Sequence, residues 1–258
     1  MLWKLLKYDF RSMWKTFSLV WAACLVLALV NRFTLPFEEK TNVTIGPGDG
    51  ILAFITALVF FGVLFAMFVA VMIFVIQRFY KGLLGNEGYL MNTLPVPTWQ
   101  LVLSKLVCAV FVSIASMVIT FLAFLVLVPI RWKMVFSLAF IQELWQGLVG
   151  NPGALLYLFE MCVMVALGLA MLILMVYLAM AVGQMFSHRI VMSVAAFFAL
   201  DVLVTMYINL VDRLGVVDMV SRLGEHGGLW TANAMILLPA AVLFLATSWL
   251  LKHRLNLE

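Results

Sequence analysis

The feature that most constrains this chain is a series of apolar runs, each about 20 residues long or longer, that recurs from one end of the sequence to the other. A helix of that length crosses a hydrocarbon core of roughly 30 Å. Inside lipid every backbone N–H and C=O group must be bonded within the protein. Runs that are uniformly apolar, without strict alternation, therefore predict helices and exclude a barrel. The six predicted spans are residues 17–34, 51–76, 101–130, 155–185, 189–210 and 231–251.

The balance of residue types agrees with a chain that lies mostly in lipid. Hydrophobic residues make up 66% of the 258 residues and charged residues only 11%, whereas a soluble domain carries about 25% charged residues. Too few polar side chains remain to cover a water-facing surface. We therefore predict an all-α membrane protein in which residues 1–258 form a single transmembrane domain.

Residues 1–16 predict an interfacial amphipathic helix ahead of the first span. An apolar stripe at helical spacing lies beside a stripe of cations: Trp3, Leu6, Phe10, Met13 and Phe17, next to Lys4, Lys7, Arg11 and Lys15. This pattern is typical of a helix that lies in the plane of the membrane with its cations toward the lipid headgroups. Membrane lipid is therefore one expected partner.

The distribution of cations predicts the orientation of the spans. With the amino terminus inside, the inner segments hold ten of the sixteen Lys and Arg residues. Cytoplasmic loops are enriched in these residues, so both termini are predicted to be cytoplasmic. Residues 131–153 and 211–230 then form the longer outer loops, the first a surface helix and the second a hairpin or an ordinary polar loop. The net charge of +4 is a membrane-surface signal, and no nucleic-acid partner is expected.

Residues 77–99 form the longest inner loop, between spans two and three. The loop combines glycines, charges and two prolines with large apolar side chains that are costly to leave in water. These side chains are Tyr89, Leu90, Met91, Leu94 and Trp99. They predict packing against a cytoplasmic partner subunit, or alternatively against the chain's own spans.

Four groups of residues in and beside this loop carry a family resemblance. They are Arg78-Phe79-Tyr80-Lys81, Glu87-Gly88-Tyr89-Leu90, Leu94-Pro95-Val96 and Ser104-Lys105. Together they resemble the first inner loop of ABC-2-type permeases, the transmembrane subunits of bacterial ABC exporters. The interfacial helix and the six-span layout are similar too, so the resemblance covers nearly the whole chain in layout and this loop in residues.

The resemblance implies a function and a set of partners. The loop would be a coupling helix seated in a groove of a separate ATPase, and two permease chains, identical or different, would assemble with two ATPases in the bacterial cytoplasmic membrane. The exported substrate would be hydrophobic or amphipathic, such as a peptide antibiotic, a drug or a lipid. The implied coupling residues are Arg78, Tyr80, Lys81, Glu87, Gly88, Tyr89, Leu90, Leu94 and Pro95, with Glu87 meeting a basic group of the ATPase.

ATP and Mg²⁺ would be bound by the partner ATPase, and no cofactor is expected in this chain. The sequence contains no GxxxxGK[ST] phosphate loop, so it does not bind nucleotide in that manner. An ATP-driven process would therefore need its motor on another polypeptide.

Polar residues inside the spans are the candidates for a substrate path. They are Asp201, Thr205 and Asn209 on span five, Ser113, Ser116 and Thr120 on span three, and Glu160 on span four. A carboxylate at mid-bilayer costs about 2.5–3.5 kcal/mol, so such groups face protein or water-filled cavities. We expect the span-five stripe to face the bundle. Glu160 either joins the path or reaches the headgroups, and the hydroxyl groups alternatively form helix–helix hydrogen bonds.

Other classes of protein fit the sequence less well. No catalytic residue is assigned, because the three histidines lie at or beyond span ends without an HExxH motif. Cys24, Cys108 and Cys162 lie in apolar runs without a CxxC motif and predict small buried side chains, not a metal site. An ion-coupled secondary transporter, which would favour repeated halves and interrupted helices, and a non-transporting membrane scaffold remain the alternatives.

Overall fold

The computed structural model describes residues 2–34, 49–84, 97–127, 142, 146–147, 150, 152–215 and 224–253. Over these ranges the chain consists of helices and turns without a strand, and six helices are long and apolar enough to cross a membrane. They are α1 (Leu2–Thr34), α2 (Asp49–Phe79), α3 (Thr98–Leu127), α4 (Pro152–Gly183), α5 (Arg189–Arg213) and α6 (Gly224–His253). The predicted all-α architecture with six candidate spans is confirmed.

Helix α1 is continuous where the sequence predicted two segments. It contains 33 residues and is therefore about 50 Å long, well beyond the thickness of a hydrocarbon core. No glycine or proline interrupts it, and its buried residues keep one helical stripe, which includes Met13, Phe17, Cys24 and Ala28. The part long and apolar enough to span is Asp9–Arg32. A separate helix over residues 1–16 is therefore not distinguished, and its interfacial position remains a prediction.

The described residues form two compact units. One unit comprises residues 8–73 and 111–147, which include most of α1, the first part of α2 and the second part of α3. In it, α1 and α3 lie side by side along their length. Phe10 contacts the ring of Phe111, Trp21 donates a hydrogen bond to Ser116, and Arg32 donates one to the carbonyl of Val126. From one contact to the next the residue numbers increase in both helices, so α1 and α3 run in the same direction.

The other unit comprises residues 1–7, 74–110 and 148–258. Here α4 packs along both α5 and α6. The second half of α4 is its best buried stretch, which contains Ile173, Leu174, Met175, Tyr177, Leu178, Ala179, Met180 and Ala181. Large apolar side chains on the first half of α4 and on most of α5 are exposed in the single chain, as expected for helices that contact lipid or another subunit.

Two glycines allow the tight ends of these helices. A Cβ on Gly183, the last residue of α4, would lie 2.7 Å from the carbonyl oxygen of Arg189 and would collide with the side chain of Ser193. Only glycine therefore lets α4 end directly against the first turn of α5. Helix α5 is terminated by Gly215, whose φ of 66° lies in the left-handed region that glycine adopts at low cost. Its N–H bonds to the carbonyl of Asp212 at 2.9 Å.

Candidate functional site

The predicted inner loop begins where α2 ends, and the structure describes that starting point. Tyr80–Leu84 form a π-helix directly after α2, with Gly82, Leu83 and Leu84 buried. Such π turns are rare and are found frequently at functional sites. Residues 85–96 lie outside the described residues, and with them the predicted coupling residues Glu87, Gly88, Tyr89, Leu90, Leu94 and Pro95. Of the remaining three, Arg78 is half-buried, and Tyr80 and Lys81 are exposed.

Two contacts fix this starting point to the helices beside it. The ring of Phe79 stacks on Tyr177 of α4, with 4.0 Å between ring centroids and an interplanar angle of 15°. Both residues are fully buried. A Cβ on Gly82 would lie only 3.2 Å from Cε of Lys105, which is buried in the second turn of α3. The end of α2 is therefore held by close packing against α4 and α3.

The polar stripe of α5 is exposed among the described residues, whereas the sequence predicted that it faces the bundle. Asp201, Thr205 and Asn209 are all exposed, and no residue of α5 is buried. The packed side of α5 is instead lined by the half-buried Leu200, Val204 and Tyr207. The Tyr207 hydroxyl donates a hydrogen bond to the carbonyl of Met235. Packing against α4 sets the rotation of the helix and leaves the stripe exposed.

On α3, the hydroxyl group of Ser116 is hydrogen-bonded to α1 and that of Thr120 to its own helix. Ser116 is buried, and its Oγ accepts a hydrogen bond of 3.0 Å from Nε1 of Trp21 in α1. Thr120 donates a hydrogen bond of 2.8 Å to the backbone carbonyl of Ser116, and Ser113 is half-buried. The alternative of a helix–helix hydrogen bond therefore holds for Ser116.

Glu160 is the best buried carboxyl group among the described residues, with 0% of its surface exposed. Its Oε2 lies 3.0 Å from Nδ1 of His226 in the first turn of α6. Asn233, two turns further along the same face of α6, donates a hydrogen bond of 3.3 Å to the backbone carbonyl of Glu160. The suggestion that Glu160 reaches the headgroups is wrong, because its side chain is fully buried.

In the cluster of Glu160, His226 and Asn233, some polar atoms have a hydrogen-bond partner and others do not. A carboxylate oxygen only accepts hydrogen bonds, so the Nδ1–H of His226 is the donor toward an ionised Glu160. Glu160 Oε1 and Asn233 Oδ1 are buried without a hydrogen-bond partner among the described residues. The imidazole itself is 43% exposed. The arrangement places an acid–base pair near the N-terminal ends of α4 and α6, with the imidazole partly exposed.

Sequence reasoning missed His226 and Asn233 as partners of Glu160. The available signal was the seven-residue separation of two polar residues on one face of an apolar helix. Their distance of 66 and 73 residues from Glu160 gave no indication of the pairing. Within the described ranges, no three His, Cys, Asp or Glu residues are grouped to hold a metal ion. Cys162, predicted to be buried, is exposed on α4.

Comparison with known proteins gives no match: no protein-family model, no curated protein and no solved structure corresponds to the chain.

Proposed function

We propose that the chain is the transmembrane permease subunit of an ATP-driven ABC exporter, which moves a hydrophobic or amphipathic substrate out of the bacterial cytoplasm. The observation that carries the proposal is the packing of the start of the inner loop. The Phe79–Tyr177 stack and the buried turn at residues 82–84 fix that start against α4 and α3. A displacement of the loop would therefore reach the helices that hold its start.

This packing suits a coupling element. Residues 85–96 would enter a groove of the ATPase, where Glu87 meets a basic group and Tyr89 and Leu90 fill the apolar part. Closure of two ATPases around ATP and Mg²⁺ would displace the loop. Close packing of Phe79 on Tyr177 would pass the displacement to α4, because packed interiors transmit strain. This chain would contribute no catalytic group, and both of its termini would lie in the cytoplasm.

The exposed stripe of α5 supports a second permease chain in the assembly. Asp201 lies near the middle of a 25-residue span and is exposed in the single chain. A carboxylate facing hydrocarbon costs about 2.5–3.5 kcal/mol, so another subunit or an aqueous path would cover it. Two copies of α5 facing each other would line such a path with Asp201, Thr205 and Asn209.

Copurification of the chain with the ABC ATPase most closely linked to it genetically tests the proposal. The unmodified chain is expected to form a stable complex, and Glu87→Arg is expected to abolish it, because the variant brings two cations together in a buried contact. Glu39→Arg, the same charge change in a predicted outer loop, is the matched control and should leave the complex intact. A complex that survives Glu87→Arg refutes the assigned contact, and no complex with the unmodified chain refutes the function.

The Glu160–His226 pair favours a second candidate, an ion-coupled secondary transporter. A buried intramembrane carboxyl beside a histidine that is partly open to its surroundings can exchange a proton or a small cation. Reconstituted in liposomes without any ATPase, such a transporter would dissipate an imposed pH gradient when its substrate is present. Glu160→Gln would stop this flux, whereas in an ABC exporter it would leave the ATPase complex assembled. A chain that moves nothing without an ATPase excludes this candidate.

A further inference from the structure

Pro239 interrupts the backbone hydrogen bonds of α6 near the middle of the helix. Proline has no backbone N–H, so the carbonyl of Met235, four residues earlier, loses its partner within the helix. The Tyr207 hydroxyl of α5 donates a hydrogen bond to this same carbonyl at 3.3 Å. A membrane helix tolerates a proline where a neighbouring group satisfies the freed backbone carbonyl. The hydroxyl of Tyr207 therefore takes the place of the missing backbone donor.

The two parts of α6 on either side of this proline are held in different ways. The second part, residues 239–253, is the anchored segment, because it buries a stripe of side chains at helical spacing: Ala240, Leu243, Thr247 and Leu251. The first part, residues 224–238, is the leading segment. Among its described side chains, only that of Asn233 is buried. Burial therefore fixes the anchored segment much more firmly than the leading segment.

Polar contacts join the leading segment to the helices beside it. On the side of α4, His226 Nδ1 lies 3.0 Å from Oε2 of Glu160, and Asn233 donates a hydrogen bond to the backbone carbonyl of Glu160. On the side of α5, the leading segment is held by the hydrogen bond of Tyr207 to Met235. Hydrogen bonds between membrane helices each contribute little. These few contacts can therefore break together while the anchored segment keeps its packing.

We propose that the leading segment of α6 is a gate that turns about Pro239 and is held closed by Glu160 and Tyr207. Trp230 lies nine residues before the proline, about 13 Å along the helix, so a turn of about 20° moves it by about 5 Å. Opening separates α6 from α4 and uncovers the carboxyl group of Glu160. The hinge depends only on contacts within this chain, whereas its use for the release of substrate rests on the proposed exporter function.

Distances between two spin labels, measured by pulsed electron paramagnetic resonance, test the gate. The purified full chain is reconstituted in lipid nanodiscs without an ATPase. The labels are attached at Leu158→Cys on α4 and Trp230→Cys on α6, two positions that are exposed in the single chain. The exposed Cys162 is replaced by serine, and the buried Cys24 and Cys108 are kept. The labelled chain should show a main short distance and a minor longer one.

Tyr207→Phe removes only the hydroxyl and should raise the ratio of the longer to the shorter distance about fivefold, the factor for one hydrogen bond of ordinary strength. Pro239→Ala returns a backbone N–H to the Met235 carbonyl and should suppress the longer distance. Adding Tyr207→Phe to Pro239→Ala should then have no effect. Thr247→Val is the matched control, because it removes a hydroxyl bonded to the Leu243 carbonyl within the anchored segment. It should leave the ratio unchanged.

Three outcomes would contradict this proposal. A single distance that neither Tyr207→Phe nor Pro239→Ala changes overturns the gate. An equal effect of Tyr207→Phe with and without Pro239→Ala overturns the role of the hydroxyl, and an equal shift in Thr247→Val overturns the division of α6 at the proline. Because the measurement needs no ATPase, a failed copurification leaves the gate in place, whereas a rigid α6 in a chain that binds its ATPase removes the gate and keeps the function.

Discussion

At the scale of single residues, Glu160 illustrates how a buried charge depends on its partner. The carboxyl is fully buried, and its side-chain partner among the described residues is His226. Removing one partner of a buried pair leaves the other charge uncompensated and costs about 3–5 kcal/mol, whereas removing both charges is often neutral. The half-exposed imidazole reduces this cost, since exposed charges interact more weakly.

His226→Leu is therefore expected to destabilise the protein by about 2 kcal/mol, because it leaves the Glu160 carboxylate buried without its donor. Adding Glu160→Gln to that variant should restore most of the loss, because the buried charge is then gone. Thermal unfolding in detergent, read as a double-mutant cycle, measures both effects. His253→Leu, the same change at the exposed far end of α6, should cost much less. Additive effects of the two substitutions would contradict the pairing.

At the scale of the helices, the α4–α5 joint depends on a single missing side chain. Two of the three atoms that would crowd a Cβ at Gly183 belong to the backbone of α5, the carbonyl oxygen of Arg189 and the N–H of Ser193. Backbone atoms of a helical turn cannot step aside as the end of a flexible side chain can. The joint is therefore sensitive to volume at this one position.

Gly183→Ala is expected to cost about 1–3 kcal/mol of stability through overpacking. Ser193→Ala should not rescue it, since the backbone clashes remain. The matched control is Gly168→Ala in the same helix, where a Cβ meets nothing within 4 Å. That substitution should be neutral or stabilising by up to about 1 kcal/mol, because alanine is the better helix former. Equal melting temperatures for the two variants would show that α4 and α5 do not meet as described.

The helices themselves were largely predictable from the sequence, and their contacts were not. Length and uniform apolarity are local properties, so each of the six spans was found. The boundary of α1 was missed because its cation-rich first turns continue the same helical stripe. The Glu160–His226 contact and the outward turn of Asp201 depend on how α5 and α6 rotate against α4. That rotation results from apolar packing between helices. It depends on several helices at once, so it cannot be predicted from the sequence of one of them.

At the scale of the whole molecule, α5 is the least covered of the candidate spans. No residue in the most apolar 18-residue stretch of α5 is buried. In the other five spans, 22–29% of the residues in the corresponding stretch are buried. Lipid readily covers apolar side chains such as Phe198 and Val202, but it does not solvate Asp201. The outward stripe is therefore expected to be the contact between two copies of the chain.

Cysteines placed on this stripe test the arrangement in native membranes. Thr205→Cys and Asn209→Cys, one helical turn apart, are both expected to form disulfide-linked dimers on mild oxidation, because residues facing a twofold axis approach their own counterparts. The control Phe65→Cys, at an exposed apolar position on α2, should remain monomeric because it is expected to face lipid. Adding Asp201→Leu should then weaken the cross-link if the carboxyl has a partner across the contact. Cross-linking that is equally low at all three cysteine positions would contradict a homodimer through α5.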